Sequence, residues 1–411
     1  MNPAIVIPSY WAWSDEQTEI GELGVYDYVT PINKPLPELE LCLSSLDKVR
    51  GVLRVIVLIV SRPDCTASAR ARVEAICRMH PGLNPLIVGE EEGRLMTRVV
   101  NDIAPNLPGE LVSLRGYGAI HNMGLAVAAT LGHDVVVFLD DDNVVLDEDF
   151  LLKAVYGLGQ KTRQGLTILA KTGYYVNREN SPYASFEKPA WSEVRWSKRT
   201  RFNEMMQRLL SGTRISRATG ICGGCFAVSA HAYTRVAFDS VITRGEDLDY
   251  LCNLRMNGID VWADNEWYVK HMPPEIPSAA ARFLQEVYRW TYEYKKIAAC
   301  NVTIGLRTVT PESLEPHPGD WVSPKVERRI AETALRRAIV GPERLEYLKI
   351  LLFEHSRARA WADRQSHRYL ALMTYWPYII SALWGNRLLA RQLTKMGTAR
   401  LEWLGPTEGD E

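Results

Sequence analysis

Three groups of residues in this chain have the types and spacing to do chemistry. Asp140, Asp141 and Asp142 stand in a row directly after the apolar run Val135-Val136-Val137-Phe138-Leu139. Glu246-Asp247 follows Gly245 at the expected start of a helix, and His271 lies between the strand-like Trp267 to Lys270 and Pro273-Pro274. Two carboxylates about 4 Å apart repel by roughly 4 kcal/mol at an effective dielectric near 20. A divalent cation held through oxygen ligands removes that cost. The blander reading is that the triplet only opens a loop or caps the next helix, but Asp147, Glu148 and Asp149 already supply a cap before Phe150-Leu151-Leu152. Acids in a first helical turn are favoured by the helix dipole alone, by less than about 1 kcal/mol, which could by itself account for Glu246, Asp247 and Asp249. A lone histidine is more often a structural residue than a ligand, although its place after a second strand beyond the acids favours His271 as a ligand.

These groups need a frame. Residues 4–8, 54–60, 85–88 and 135–139 are short apolar runs that read as strands, and the run before the aspartates reads as buried on both faces of a sheet. Helical spacing covers 38–49, with Leu39, Leu43 and Leu46, and also 67–79 and 120–131. Strands alternating with helices of this length predict βαβ units and a mostly parallel sheet. Its strand ends are where open α/β sheets place a ligand crevice. Leu251, Leu254 and Arg255 continue a helix after the second acidic group, Gly258 stops it, and strands are expected over 259–262 and 267–270. Residues 174–218 read as a long polar, irregular segment holding the basic cluster Lys198-Arg199-Thr200-Arg201. Beyond about residue 280 the pattern turns helical, over 281–300, 325–340, 343–364 and 366–395, with a frayed tail over 405–411. The expected organisation is therefore a sheet domain over 1–280 and a helical region over 281–411.

Composition narrows the class further. The 411 residues are 46% hydrophobic and 24% charged, as in ordinary globular proteins, and the net charge of −1 gives no global electrostatic argument for nucleic acid, so no nucleic-acid partner is expected. Seven cysteines, an odd number, do not suggest a disulfide framework, and the reducing cytoplasm is the expected compartment. Cys222-Gly223-Gly224-Cys225 has redox or zinc-like spacing without a second pair to complete a zinc site. No stretch reaches the roughly 20 apolar residues of a spanning helix, and 369–384, with Pro377 in its middle, reads as a packed helix.

In this order the elements resemble the GT-A glycosyltransferases, closest to the family 2 type, over roughly residues 4–275. Val6-Ile7-Pro8-Ser9-Tyr10 resembles the family's first strand and turn, and Asn33-Lys34-Pro35 its continuation, the two separated by an acidic, tyrosine- and tryptophan-containing insertion. Ser61-Arg62-Pro63-Asp64-Cys65-Thr66 stands where the family touches the nucleotide base, and Gly118-Ala119-Ile120-His121-Asn122-Met123-Gly124 resembles its Ala-Arg-Asn-x-Gly helix start, with His121 in place of arginine. Asp140-Asp141-Asp142 matches the Asp-x-Asp motif, Glu246-Asp247 the Glu-Asp motif, and His271 a third metal ligand.

The resemblance implies an enzyme that moves a sugar from a nucleoside-diphosphate sugar to an acceptor hydroxyl on a glycan, a lipid-linked molecule or a small molecule. It implies donor contacts from Pro8, Tyr10, Asp64, Asn122, Asp140 and Asp141, and Mn²⁺ or Mg²⁺ on Asp142 and His271, with Asp140 on the ribose or on the metal shell. Imidazole suits Mn²⁺ better than Mg²⁺. Asp247 is implied as the base and Glu246 as the residue that positions the acceptor, which gives inversion; retaining GT-A enzymes share the metal motif, so retention stands as an alternative. A non-catalytic glycan- or nucleotide-binding protein would be expected to lack one acidic motif, and none is missing. A sugar-nucleotide pyrophosphorylase expects a glycine-rich basic loop where this chain has Pro8-Ser9-Tyr10-Trp11.

Other features allow two readings each. The basic cluster with Arg214 and Arg217 suits an anionic acceptor, the donor diphosphate or a solvated loop. Trp11, Trp13, Trp191 and Trp196 could stack on sugars, with core packing the default for any one of them. The C-terminal helices, rich in arginine, tryptophan and tyrosine, suit a peripheral membrane face at the inner leaflet, a homo-oligomer contact or an ordinary packed bundle.

Overall fold

The computed structural model describes residues 1–13, 29–274 and 278–398. Among them, ten strands form one sheet: β1 (Pro3–Ala12), β2 (Thr30–Pro31), β3 (Val55–Ser61), β4 (Pro85–Val88), β5 (Val135–Phe138), β6 (Asn143–Val144), β7 (Ala170–Val176), β8 (Ile215–Arg217), β9 (Phe226–Ser229) and β10 (Val261–His271). Their order is β4-β3-β1-β5-β9-β7-β10-β6, with β2 on β1 and β8 on β10. The strands from β4 to β5 in that order are parallel, while β9 runs antiparallel to both of its neighbours. The chain steps outward from β1 to β3 and β4, then crosses β1 to form β5. That reversal puts the ligand crevice at the carboxyl ends of β1 and β5, where the aspartates follow.

Side-chain alternation divides the helices between two faces. Ile5, Ile7, Val55 and Val57 pack with α1 (Glu38–Leu46) and α2 (Thr66–Arg78). Ala4, Val6, Ile56 and Leu58 face α3 (Glu90–Ile103) and α4 (Tyr117–Thr130). Every residue of α4 is buried, and Gly124 brings its backbone so close that an added Cβ would lie 2.6 Å from Val6 Cγ1. The remaining helices are α5 (Phe150–Val155), α6 (Arg199–Ser211), α7 (Ala230–Tyr233), α8 (Glu246–Met256), α9 (Ala279–Asn301), α10 (Lys325–Val340), α11 (Arg344–Lys349), α12 (His355–Gln365), α13 (Arg368–Leu383) and α14 (Arg387–Thr398). The last two join the same core as α4: Trp376 of α13 is fully buried and donates to the Tyr233 carbonyl at 2.6 Å. No described helix is long and apolar enough to cross a membrane.

The structure departs from the sequence expectations in several places, beginning with five strands, β2, β6, β7, β8 and β9, that were not expected. Helix α3 is additional; its glutamate-rich first turn is capped by Glu92, which accepts from the Gly89 amide at 2.9 Å. The strands expected over 259–262 and 267–270 are one strand, β10, because a register shift between Ala263 and Tyr268 absorbs the polar residues between them. One of these, Asp264, meets the buried Lys171 ammonium at 2.8 Å. The polar segment 174–218 contains α6, which buries only Asn203 and Met206 and so shows little apolar signal. The helix expected over 366–395 breaks at Gly385, which takes φ +61° and donates to the Ala129 carbonyl. The 405–411 tail and most of the insertion after Tyr10 lie outside the described residues.

Candidate active site

Strand pairing assembles the first half of the site. Antiparallel β6 and β10 set Asn143 opposite His271, and the Met272 amide donates to the Asp142 carbonyl at 2.9 Å. This register holds His271 Nε2 3.3 Å from Asp142 Oδ2. Burial pulls the imidazole down, but Asp142 and then Asp140 outweigh it and hold His271 above its ordinary value. Burial, with the Asp142 charge added, pushes Asp140 up to about 7. Asp141 is also pushed well above the usual carboxylate range by burial and Asp142, although Ser9 Oγ donates to it at 2.6 Å.

Asp142 Oδ1 is buried and has no hydrogen-bond partner. An orphaned carboxylate oxygen beside an imidazole fits a cation, so Asp142 and His271 could hold one. Among the described residues no three His, Cys, Asp or Glu side chains converge as a complete metal cage. A cation here would therefore draw its other ligands from substrate and water oxygens, as Mg²⁺ at phosphate sites does.

The second half is built by α8, whose first residues are Glu246 and Asp247. Gly245 precedes them at φ +67°, a left-handed turn that favours glycine. Burial, then the adjacent Asp247 charge, pushes Glu246 up to about 7. His121 Nε2 stands 3.9 Å from Glu246 Oε1, and burial holds that imidazole below its ordinary value. Behind the turn, Glu286 binds Lys198 at 2.7 Å and Arg244 and Arg289 at 3.2 Å each. Those cations hold its carboxyl well below the usual range against the opposing effect of burial.

Two glycines join the halves. A Cβ on Gly223 would touch Asp247 Cβ at 3.3 Å, and one on Gly224 would collide with the Asn143 amide and the Asp140 carboxylate. Tyr175 connects them: its hydroxyl donates to Asp140 at 3.0 Å and accepts from the Gly224 amide at 2.6 Å, and its ring stacks on His271 at 4.6 Å. Replacing Gly224 by alanine should displace Asp140 and lower kcat about a hundredfold, the scale of a 1 Å misplacement. Steady-state kinetics with a melting curve for the folded variant checks this; near-native kcat would mean that the turn does not position Asp140.

A cleft of about 1330 Å³ is lined by Tyr10, Ser61, Arg62, Thr66, Arg115 and Thr243 among others, with none of the site's carboxylates and not His271 in its wall. Trp361, Gln365 and Arg368 of the C-terminal helices form part of its wall. Of the expected donor contacts, Tyr10 lines this cleft and Pro8 is buried in β1 one pair below it. Asp64 is largely exposed and is not in the wall, although its neighbours Arg62 and Pro63 are. Asn122 is fully buried, its amide donating to the Leu111 and Phe238 carbonyls and accepting from the Phe238 amide, so it anchors α4 instead of facing the cleft.

Cys222 and Cys225 are free and buried, with burial pushing the Cys222 thiol up to about 12, so neither is primed as a thiolate. Trp11 and Trp196 pack in the core, whereas Trp13 and Trp191 are exposed. The cationic side chains of Lys198, Arg201, Arg214 and Arg217 are paired with Glu286, Glu315, Asp264 and Asp260. Sequence reasoning missed Tyr175, Asn143 and Arg289. Tyr175 and Asn143 meet their partners only across elements, and although Glu286 is three residues from Arg289 on α9, nothing local shows that this pair backs the Gly245 turn.

An open sheet with carboxylates gathered beyond its central strands, faced by an acidic helix start, is the GT-A arrangement, and the protein is a glycosyltransferase. The chain belongs to the glycosyl transferase family group 2, whose model matches residues 135–390. Among solved structures, a mannosyltransferase from Pyrobaculum calidifontis in complex with GDP-Man and Mn²⁺ is similar at 15% identity, covering 91% of this chain and 86% of that one, with a TM-score of 0.47. TarS from S. aureus is similar at 13% identity over 91% of this chain and 55% of that one, TM-score 0.38. Glucosyl-3-phosphoglycerate synthase from Mycobacterium tuberculosis, in complex with Mg²⁺ and UDP, shares 16% identity over 70% of this chain and 79% of that one, with a TM-score of 0.35. No curated protein matches the sequence. Such distant likeness fixes no substrate for this chain.

Proposed function

We propose that the enzyme transfers a sugar from a nucleoside-diphosphate sugar to an acceptor hydroxyl, with divalent metal and with inversion at the anomeric carbon. The supporting observation is that the bare Gly223-Gly224 turn packs against Asp247 on one side and Asp140 on the other, with the Asp142–His271 pair beside Asp140. The cleft by Tyr10, Ser61 and Arg62 takes the nucleotide. Asp140 and Asp141 orient the ribose and diphosphate. Asp142 and His271 would hold Mn²⁺ or Mg²⁺, which when bound stabilises the charge developing on the diphosphate leaving group.

Asp247 takes the proton of the acceptor hydroxyl while the new glycosidic C–O bond forms and the bond from the anomeric carbon to phosphate oxygen breaks. Glu246, holding its proton up to about pH 7, hydrogen-bonds the acceptor and orients it. The helical region over 281–411 contributes to acceptor recognition. Seven buried free cysteines support work in the reducing cytoplasm.

The test is nucleoside diphosphate release from UDP-, GDP-, dTDP- and ADP-sugars with Mn²⁺, Mg²⁺ or chelator. One nucleotide class should be turned over, chelator should abolish release, and Asp142→Ala should lower it at least about a hundredfold. Undiminished turnover in that variant would refute the metal assignment. A product with the donor's anomeric configuration, read by NMR, would refute inversion.

A further inference from the structure

We propose that the outer face of the α10–α11 hairpin, continued through residues 350–353, binds the surface of an anionic lipid bilayer. Large exposed apolar side chains concentrate there. Leu335 and Ile339 lie one turn apart on α10, and Leu345, Leu348 and Leu352 recur at helical spacing beyond the hairpin turn, followed by Phe353. Leu345 is 74% exposed and Leu352 57%, so most of each side chain is left in water. The opposite side of the same helices is already satisfied, because Val326, Ile330, Ala334, Tyr347 and Ile350 belong to the main core. The outward stripe therefore has no partner within the described residues. An amphipathic helix of this kind lies in the interface and does not span it.

Charge selects the occupant. Between residues 325 and 364 the sequence has ten Lys and Arg against six Asp and Glu, in a chain whose net charge is −1. The side chains of Arg328, Lys349 and Arg357 are 81%, 63% and 69% exposed, and ion pairs that open to water hold such cations only weakly. A basic rim around an apolar stripe matches phosphate headgroups above acyl chains. A second copy of this chain fits less well, since a two-fold contact would set the patch against itself and bring the basic rims together.

The hairpin is also firmly mounted. Arg337 binds both oxygens of Glu193 at 2.8 and 2.6 Å, and the Arg336 guanidinium lies 5.2 Å from the centre of the Trp191 ring. Trp191 is itself 56% exposed and provides an interfacial aromatic beside the stripe.

The test is flotation of the full chain with phosphatidylglycerol–phosphatidylcholine vesicles and with phosphatidylcholine alone. The protein should float with the anionic vesicles, less so in high salt. The triple variant Leu345→Gln, Leu348→Gln, Leu352→Gln should float at least about tenfold less while melting as the parent does. Leu388→Gln, at a site 79% exposed outside the stripe, should float like the parent. Absence of flotation by the parent, or equal flotation by the triple variant, would overturn the proposal. So would light scattering that shows a dimer which the triple variant dissolves.

Discussion

Asp247→Asn is expected to lower kcat about a thousandfold with little change in donor affinity, because the amide cannot take the acceptor's proton. The substitution is nearly isosteric. Asp247 Oδ1 accepts from the Leu248 amide at 2.7 Å, and an asparagine oxygen can keep that bond, so α8 should still start at the same residue. Slow donor hydrolysis should fall with transfer, since water needs the same base. Glu246→Gln is expected to act differently, raising the acceptor KM about tenfold while kcat changes less. Steady-state kinetics over donor and acceptor concentrations separates the two. Full transfer activity in Asp247→Asn would remove Asp247 from the role of base, and Glu246, pushed up to about 7, would take its place.

The largest expected loss of stability comes from Lys296→Met. The Lys296 ammonium is fully buried, 3.0 Å from Asp239 Oδ2 and from Asn253 Oδ1, and it also binds Asp249. Burial alone would lower its pKa, but the two carboxylates outweigh burial and hold it well above the usual lysine value. Tyr292 donates to Asp239 at 2.7 Å, and the Tyr369 ring covers the ammonium at 4.5 Å. One cation thus ties α8, one turn beyond the catalytic acids, to α9 and α13. Removing it leaves two buried carboxylates uncompensated, with a cost of about 3–5 kcal/mol. The denaturant midpoint should fall accordingly, and adding Asp239→Asn and Asp249→Asn to the same chain should recover part of the loss. An unchanged midpoint for the single variant would show that the network contributes nothing to stability.

Local sequence carried much of the frame. The strands expected over 4–8 and 85–88 lie within β1 and β4, and those over 54–60 and 135–139 overlap β3 and β5 to within one residue, because buried parallel strands need near-continuous apolar residues. The helix expected over 325–340 matches α10 residue for residue. Helix α6 buries only Asn203 and Met206, so its apolar pattern is thin, whereas α3 buries Met96 and Val100 on one face at helical spacing, a signal that the sequence carries and the expected elements omit.

The sequence by itself determined the acid motifs and the strand-ends that carry them, since residue type and chain adjacency are local properties. Tertiary structure alone decided what those residues meet. The register of β6 on β10 put His271 against Asp142, and the close packing of Gly224 let Asp140 approach a bare peptide. The same packing closed Asn122 into a backbone bridge and left Asp64 at the surface. Tyr175 became the link between the two halves of the site. Such contacts join residues far apart in the chain, and no periodicity of one segment encodes the register of another.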